Sequence, residues 1–185
     1  AEDGVGRINA GLEGDFFDST NGLVDDRVTC IEYYRDAWWI GTRDGISRFA
    51  ANEFTTRNEG LVSHDIQVLY AVADTALFAG TPGGRILRWN ESAGSWDRYP
   101  VLPGSWILDM VMGDDGLYVL SGDTGDPALD RFDGAAWQSL GKPSPEVRTL
   151  LWNDGLWAAG RDQAADMPGT WGRAFLARRQ ADTWT

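Results

Sequence analysis

The chain has 185 residues, 43% of them hydrophobic, enough to fill a sizeable core. Sixteen Lys and Arg against 28 Asp and Glu leave a net charge of -12, which repels phosphate backbones and anionic headgroups and sets nucleic acid aside as a partner. A single cysteine, Cys30, and a single histidine, His64, exclude an internal disulfide, a thiolate metal cluster and a multi-histidine zinc site, and no run approaches the roughly 18 to 20 apolar residues of a membrane-crossing helix.

In chain order, residues 1–21 read as the outer two strands of an incomplete unit, with Arg7-Ile8 followed by Phe16 or Phe17. A complete unit follows over 22–60, predicted as strands Arg27 to Tyr34, Ala37 to Thr42, Ile46 to Phe49 and Glu53 to Arg57. Arg35-Asp36 and Arg43-Asp44-Gly45 form its turns. Its second strand, Ala37-Trp38-Trp39-Ile40-Gly41-Thr42, returns as Ala76-Leu77-Phe78-Ala79-Gly80-Thr81 in a unit over 61–102. It returns again as Gly116-Leu117-Tyr118-Val119-Leu120-Ser121-Gly122 in 103–144 and as Gly155-Leu156-Trp157-Ala158-Ala159-Gly160 in 145–185.

The landmark glycines Gly41, Gly80, Gly122 and Gly160 lie 39, 42 and 38 residues apart. After each comes a basic residue, Arg48, Arg88, Arg131 or Arg178, and then an aromatic, Phe54, Trp96, Trp137 or Trp184. Four short strands recurring at this period are a propeller blade, because one blade cannot bury both faces and must stack on its neighbours. The expected fold is all-β: a β-propeller of about four complete four-stranded antiparallel blades plus a half blade, forming part of a larger ring. In a closed ring the two missing strands of the half blade belong after Thr185. The aromatics are expected to pack between sheets, and the glycines to permit close backbone approach.

Gly22-Leu23-Val24-Asp25-Asp26-Arg27-Val28, Trp39-Ile40-Gly41-Thr42 and Asp44-Gly45-Ile46-Ser47-Arg48-Phe49 together resemble the two-component regulator propeller repeat. Later units, with Arg131-Phe132-Asp133-Gly134-Ala135-Ala136-Trp137, resemble the RWDG-type repeats of secreted and cell-surface propellers. The resemblance implies a periplasmic or extracellular sensor-type propeller, commonly linked to polysaccharide sensing. It supplies no catalytic motif.

Candidate ligand-binding residues sit in the loops between blades and between second and third strands: Arg43, Asp44, His64, Asp65, Trp106, Met167 and Trp171. His64-Asp65 has the residue types of half a catalytic pair, but adjacent side chains rarely face one another, and a turn-capping role is the simpler reading. Asp123, Asp126 and Asp130 offer oxygen ligands for calcium, against a plain polar turn, and lack the EF-hand pattern. The repeated arginines fit either an anion groove or structural hydrogen bonds between blades, the latter being preferred. No motif calls for a cofactor.

The leading expectation is therefore a non-enzymatic binding or scaffolding propeller that associates with protein. A sensor that binds an oligosaccharide is the alternative, and a propeller polysaccharide lyase or glycosidase is third. Apolar surface left at an open blade face would favour protein association, and an aromatic groove would favour glycan.

Overall fold

The computed structural model describes residues 3–8, 11, 13–102, 106–123, 126–141, 147–162, 173–180 and 183–184. Among these there is no helix, and the chain forms two compact units, Ala1–Val101 and Leu102–Thr185.

The first unit opens with a hairpin of β1 (Val5–Ile8) and β2 (Gly14–Phe17). A four-stranded antiparallel blade follows, in the order β3 (Val28–Tyr34), β4 (Ala37–Thr42), β5 (Gly45–Ala50) and β6 (Glu53–Thr56). A second has β7 (Val68–Val72), β8 (Ala76–Thr81), β9 (Arg85–Asn90) and β10 (Ser95–Arg98). Arg35 and Asp36 join β3 to β4 with φ of 46° and 56°, the left-handed conformation a two-residue hairpin turn requires to match strand twist.

The face between these two blades is the core of the unit. Trp39, Trp89 and Trp96 meet edge-on at centroid separations of 5.0 to 6.0 Å, packed with Tyr34, Ile46, Ile66, Leu69 and Leu77. Backbone bonds stitch the blades as well: Ile66 N–H donates to the Thr42 carbonyl at 2.9 Å, and Trp96 N–H to the Glu59 carbonyl at 2.8 Å. The expected packing role of the tryptophans holds here.

The second unit contains a third blade of β11 (Ile107–Gly113), β12 (Gly116–Asp123), β13 (Asp126–Phe132) and β14 (Trp137–Ser139). Its fourth blade has β15 (Val147–Trp152), β16 (Leu156–Asp162), β17 (Arg173–Gln180) and β18 (Thr183–Trp184). Tyr118 stacks on Trp152 at 5.4 Å across them. The Asp109 carboxylate accepts from Thr149 Oγ1 at 2.8 Å and from the Leu150 N–H at 2.7 Å.

Register corrects two expectations. The innermost strand carries a bulge between Val28 and Cys30, Ile107 and Asp109, and Val147 and Thr149, and alignment on this feature puts Leu120 and Ala159, not Gly122 and Gly160, at the place of Gly41. Only Gly41 and Gly80 are true counterparts. A Cβ on Gly41 would lie 2.5 Å from Cys30 Sγ and 2.8 Å from Ile66, whereas Asp109, at the place of Cys30, turns its carboxylate to the neighbouring blade. The second correction concerns Arg131, whose guanidinium bonds within its own blade, to Asp115 and at 2.8 Å to Gln138. Other arginines do bridge blades, among them Arg7, which reaches Asn52 at 2.9 Å, Arg35, which reaches the Asp74 carbonyl at 2.9 Å, and Arg179, which reaches the Leu140 carbonyl at 2.7 Å.

Candidate binding site

Four of the predicted loop residues come together in a polar clasp. Arg43, in the β4–β5 turn, bonds both oxygens of Asp65 at 3.0 and 3.1 Å, while His64 Nδ1 lies 3.2 Å from the carboxylate of Asp44. His64 and Asp65 thus point to different partners, and each of the four is engaged across the first two blades. Arg43, Asp44 and His64 are exposed and Asp65 partly so, and ion pairs this solvated contribute little to stability.

Trp106 is 41% exposed, and its carbonyl accepts from the Gly122 N–H at 2.9 Å. Asp123 and Asp126 pair across the ends of β12 and β13, and the half-buried Asp130 lies further along β13, where loss of solvent raises its carboxyl above the usual range. No group of three potential metal ligands occurs among the described residues. Met167 and Trp171 lie outside the described residues. Cys30 is packed beside β4 and β7, where burial pushes its thiol up to about 11 and keeps it from acting as a thiolate.

A different surface carries the strongest departure from the repeat. The β1–β2 hairpin covers only the outer part of the first blade, through Phe17 packed at 5.2 Å against both Phe49 and Phe54. Beyond it opens a cleft of about 250 Å³ lined by Val5, Arg7, Ile8, Ile31, Trp38 and Phe49. The Arg7 guanidinium sits 5.7 Å from the centres of Phe17 and Phe49 and is held by Asp15 and Asn52.

On the inner part of this face, Ile31 is 48% and Trp38 46% exposed, yet their register counterparts in the second blade, Leu69 and Leu77, are 4% and 0% exposed. The fourth blade repeats the contrast with Leu150 and Leu156 at 7% and 2%. Tyr33 stands beside Trp38, edge to face at 4.9 Å, with its hydroxyl 3.3 Å from Asp36. Sequence reasoning treated Trp38 as one more packing aromatic. The signal that it differs was positional: its blade follows the half blade.

The blade order, the repeated inner bulge and the inter-blade aromatic packing define a β-propeller module. No family model matches the sequence, and no curated protein matches it. Among solved structures, the extracellular domain of a protein described as a hybrid two-component system of B. thetaiotaomicron is similar at a TM-score of 0.75 and 16% identity, over 100% of this chain and 27% of that one. The extracellular domain of a one-component system from the same organism is similar at 0.70 and 17% identity, over 95% and 25%. A computationally designed protein, Ika4, is similar at 0.56 and 14% identity, over 80% and 89%. The chain thus spans about a quarter of the length of the two bacterial domains, and these likenesses establish the fold.

Proposed function

We propose that this chain is a non-catalytic binding module of an extracytoplasmic propeller, with blade boundaries after residues 21, 60, 102 and 144, and that it associates with polypeptide through the cleft beside the half blade. The observation that carries this reading is the exposure of Ile31 and Trp38 at positions where two other blades bury their counterparts. A solvated apolar strip of this kind gains free energy when covered, by about 25 cal/mol for each Å² removed from water. The bacterial extracellular domains of the same fold support the extracytoplasmic compartment.

A second reading rests on the Tyr33–Trp38 pair with Asp36 beside it, an aromatic platform with a polar neighbour that suits an oligosaccharide face. Both readings are tested by placing a photo-reactive amino acid at position 38 and exposing the protein to extract of its source cells, with calorimetry against soluble oligosaccharides run in parallel. Polypeptide adducts that vanish in an Ile31→Lys background support the first reading. Saturable heats lost on Trp38→Ala support the second, and neither signal overturns both.

A further inference from the structure

We propose that the second blade binds one internal water molecule, held by the Thr81 hydroxyl and the backbone N–H of Val62, and that this water fastens the loop carrying His64 and Asp65. Thr81 is 0% exposed, and among the described residues no donor or acceptor lies within bonding distance of its hydroxyl. A hydroxyl shut away from solvent without a partner is costly, and where the protein supplies none an ordered water does so in nearly every native fold.

The first blade shows how the same position is satisfied by protein alone. Thr42, one repeat earlier, donates to the Gly45 carbonyl at 2.9 Å and accepts from the Asp44 N–H at 3.1 Å, both around the two-residue β4–β5 turn. The β8–β9 turn, Pro82-Gly83-Gly84, is one residue longer, and neither bond recurs. A second pairing is lost beside it. In the first blade the Val24 N–H donates to Ser47 Oγ at 2.9 Å, whereas Leu87 stands at the place of Ser47 and offers no acceptor to Val62, the counterpart of Val24. The correspondence of the two loops is structural as well as sequential, since Gly22 lies against Phe54 as Gly60 lies against Trp96. In the second unit Ser121, at the place of Thr42 in the third blade, is likewise 0% exposed with an unpartnered hydroxyl among the described residues.

Thr81 and Leu87 project from one face of their blade, toward the first, in diagonal positions across the β8–β9 ladder. The N–H of Val62, lying over Leu87 as that of Val24 lies over Ser47, therefore stands diagonally across from the Thr81 hydroxyl. Diagonal positions are about 7–8 Å apart, and the threonine side chain closes part of that gap, leaving roughly the 5 Å that one water spans with two bonds of about 2.9 Å. A backbone N–H directed at the spot repels a cation, and the buried Leu77, Ala79 and Leu87 around it give an anion no countercharge, so neutral water is the fitting occupant.

The test uses the 185-residue chain. A high-resolution crystal structure is expected to show a water within about 3.2 Å of both Thr81 Oγ1 and the Val62 nitrogen. Thr81→Val keeps the shape and removes the hydroxyl, and is expected to lower the melting temperature by about 2–4 °C. Hydrogen exchange over residues 61–66 should then be roughly fivefold faster as the loop opens locally. Thr42→Val, which removes a hydroxyl with two protein partners, sets the scale of a bonded hydroxyl at this position. No water at Thr81, a water bonded to Thr81 but not to Val62, or a Thr81→Val protein melting at or above the parent, as removal of an unbonded hydroxyl from apolar surroundings would give, would each overturn the proposal. Unchanged exchange over 61–66 would overturn the fastening of the loop, and the parent crystal structure alone decides the water if Thr81→Val does not fold.

Discussion

The indole N–H of Trp96 donates to the backbone carbonyl of Arg57 at 2.8 Å, across the boundary between the second and first blades and over 39 residues of sequence. The same residue donates its own backbone N–H to Glu59 and lays its ring on Trp39 and Trp89. One side chain at the edge of a four-residue strand thus closes the outer end of the inter-blade core.

Trp96→Phe retains a ring in that place but removes the donor, leaving the Arg57 carbonyl without this partner. The expected loss is about 1–3 kcal/mol, and Trp96→Ala should cost roughly 3–5 kcal/mol because it also opens a cavity. Equilibrium urea unfolding followed by tryptophan-independent far-ultraviolet dichroism checks both.

Gly60 has φ of 84°, and a Cβ there would run into the Trp96 carbonyl oxygen and lie 2.9 Å from its nitrogen. Gly94 shares the left-handed conformation at 65° but faces open space. Gly94→Ala should therefore cost only about 1 kcal/mol. Gly60→Ala should cost clearly more, roughly 3 kcal/mol, since strain and collision act together. Comparing the two denaturation midpoints isolates the collision.

Asp109 joins the third and fourth blades by accepting from Thr149 and Leu150. Asp109→Ala leaves the Leu150 N–H without its acceptor and is expected to destabilise by about 1–3 kcal/mol. Asp109→Asn keeps an oxygen acceptor and should recover part of that loss. Differential scanning calorimetry of the three proteins provides the measurement.

Glu32, opposite Trp39 on the inner side of the first blade, has its carboxyl raised by loss of solvent, despite backbone bonds from Tyr33 and Ala71 that act the other way. A raised folded-state pKa means the folded protein holds this proton more tightly than the unfolded chain does. Its contribution to stability is therefore present below the ordinary carboxylate value and lost as pH rises through the folded one. Glu32→Gln should unfold a little higher than the parent at pH 7, by roughly 1–2 °C given the solvation of this group. The gap should close as pH falls toward about 4. Melting curves from pH 4 to 8 would show it.

The architecture is legible in the sequence because blades announce themselves by recurrence. Trp39, Phe78, Tyr118 and Trp157 occupy one strand position, and turn residues such as Arg35-Asp36 punctuate strands of the right length. The glycine landmark was misleading in the later blades because what stands opposite that position, Cys30 in one blade and Asp109 in another, decides where a glycine is needed. That is not visible in spacing.

Composition and period alone determined that this chain is an acidic stack of four-stranded blades carrying one half blade, because alternation and recurrence are local properties of the chain. Which residues meet across blades was decided only by the tertiary structure. His64 turns to Asp44 and Asp65 to Arg43, and Trp38 emerges into solvent while Leu77, at the equivalent position, is sealed. Burial depends on what stands opposite a side chain, and for a repeated strand that is set by the neighbouring blade rather than by the strand itself.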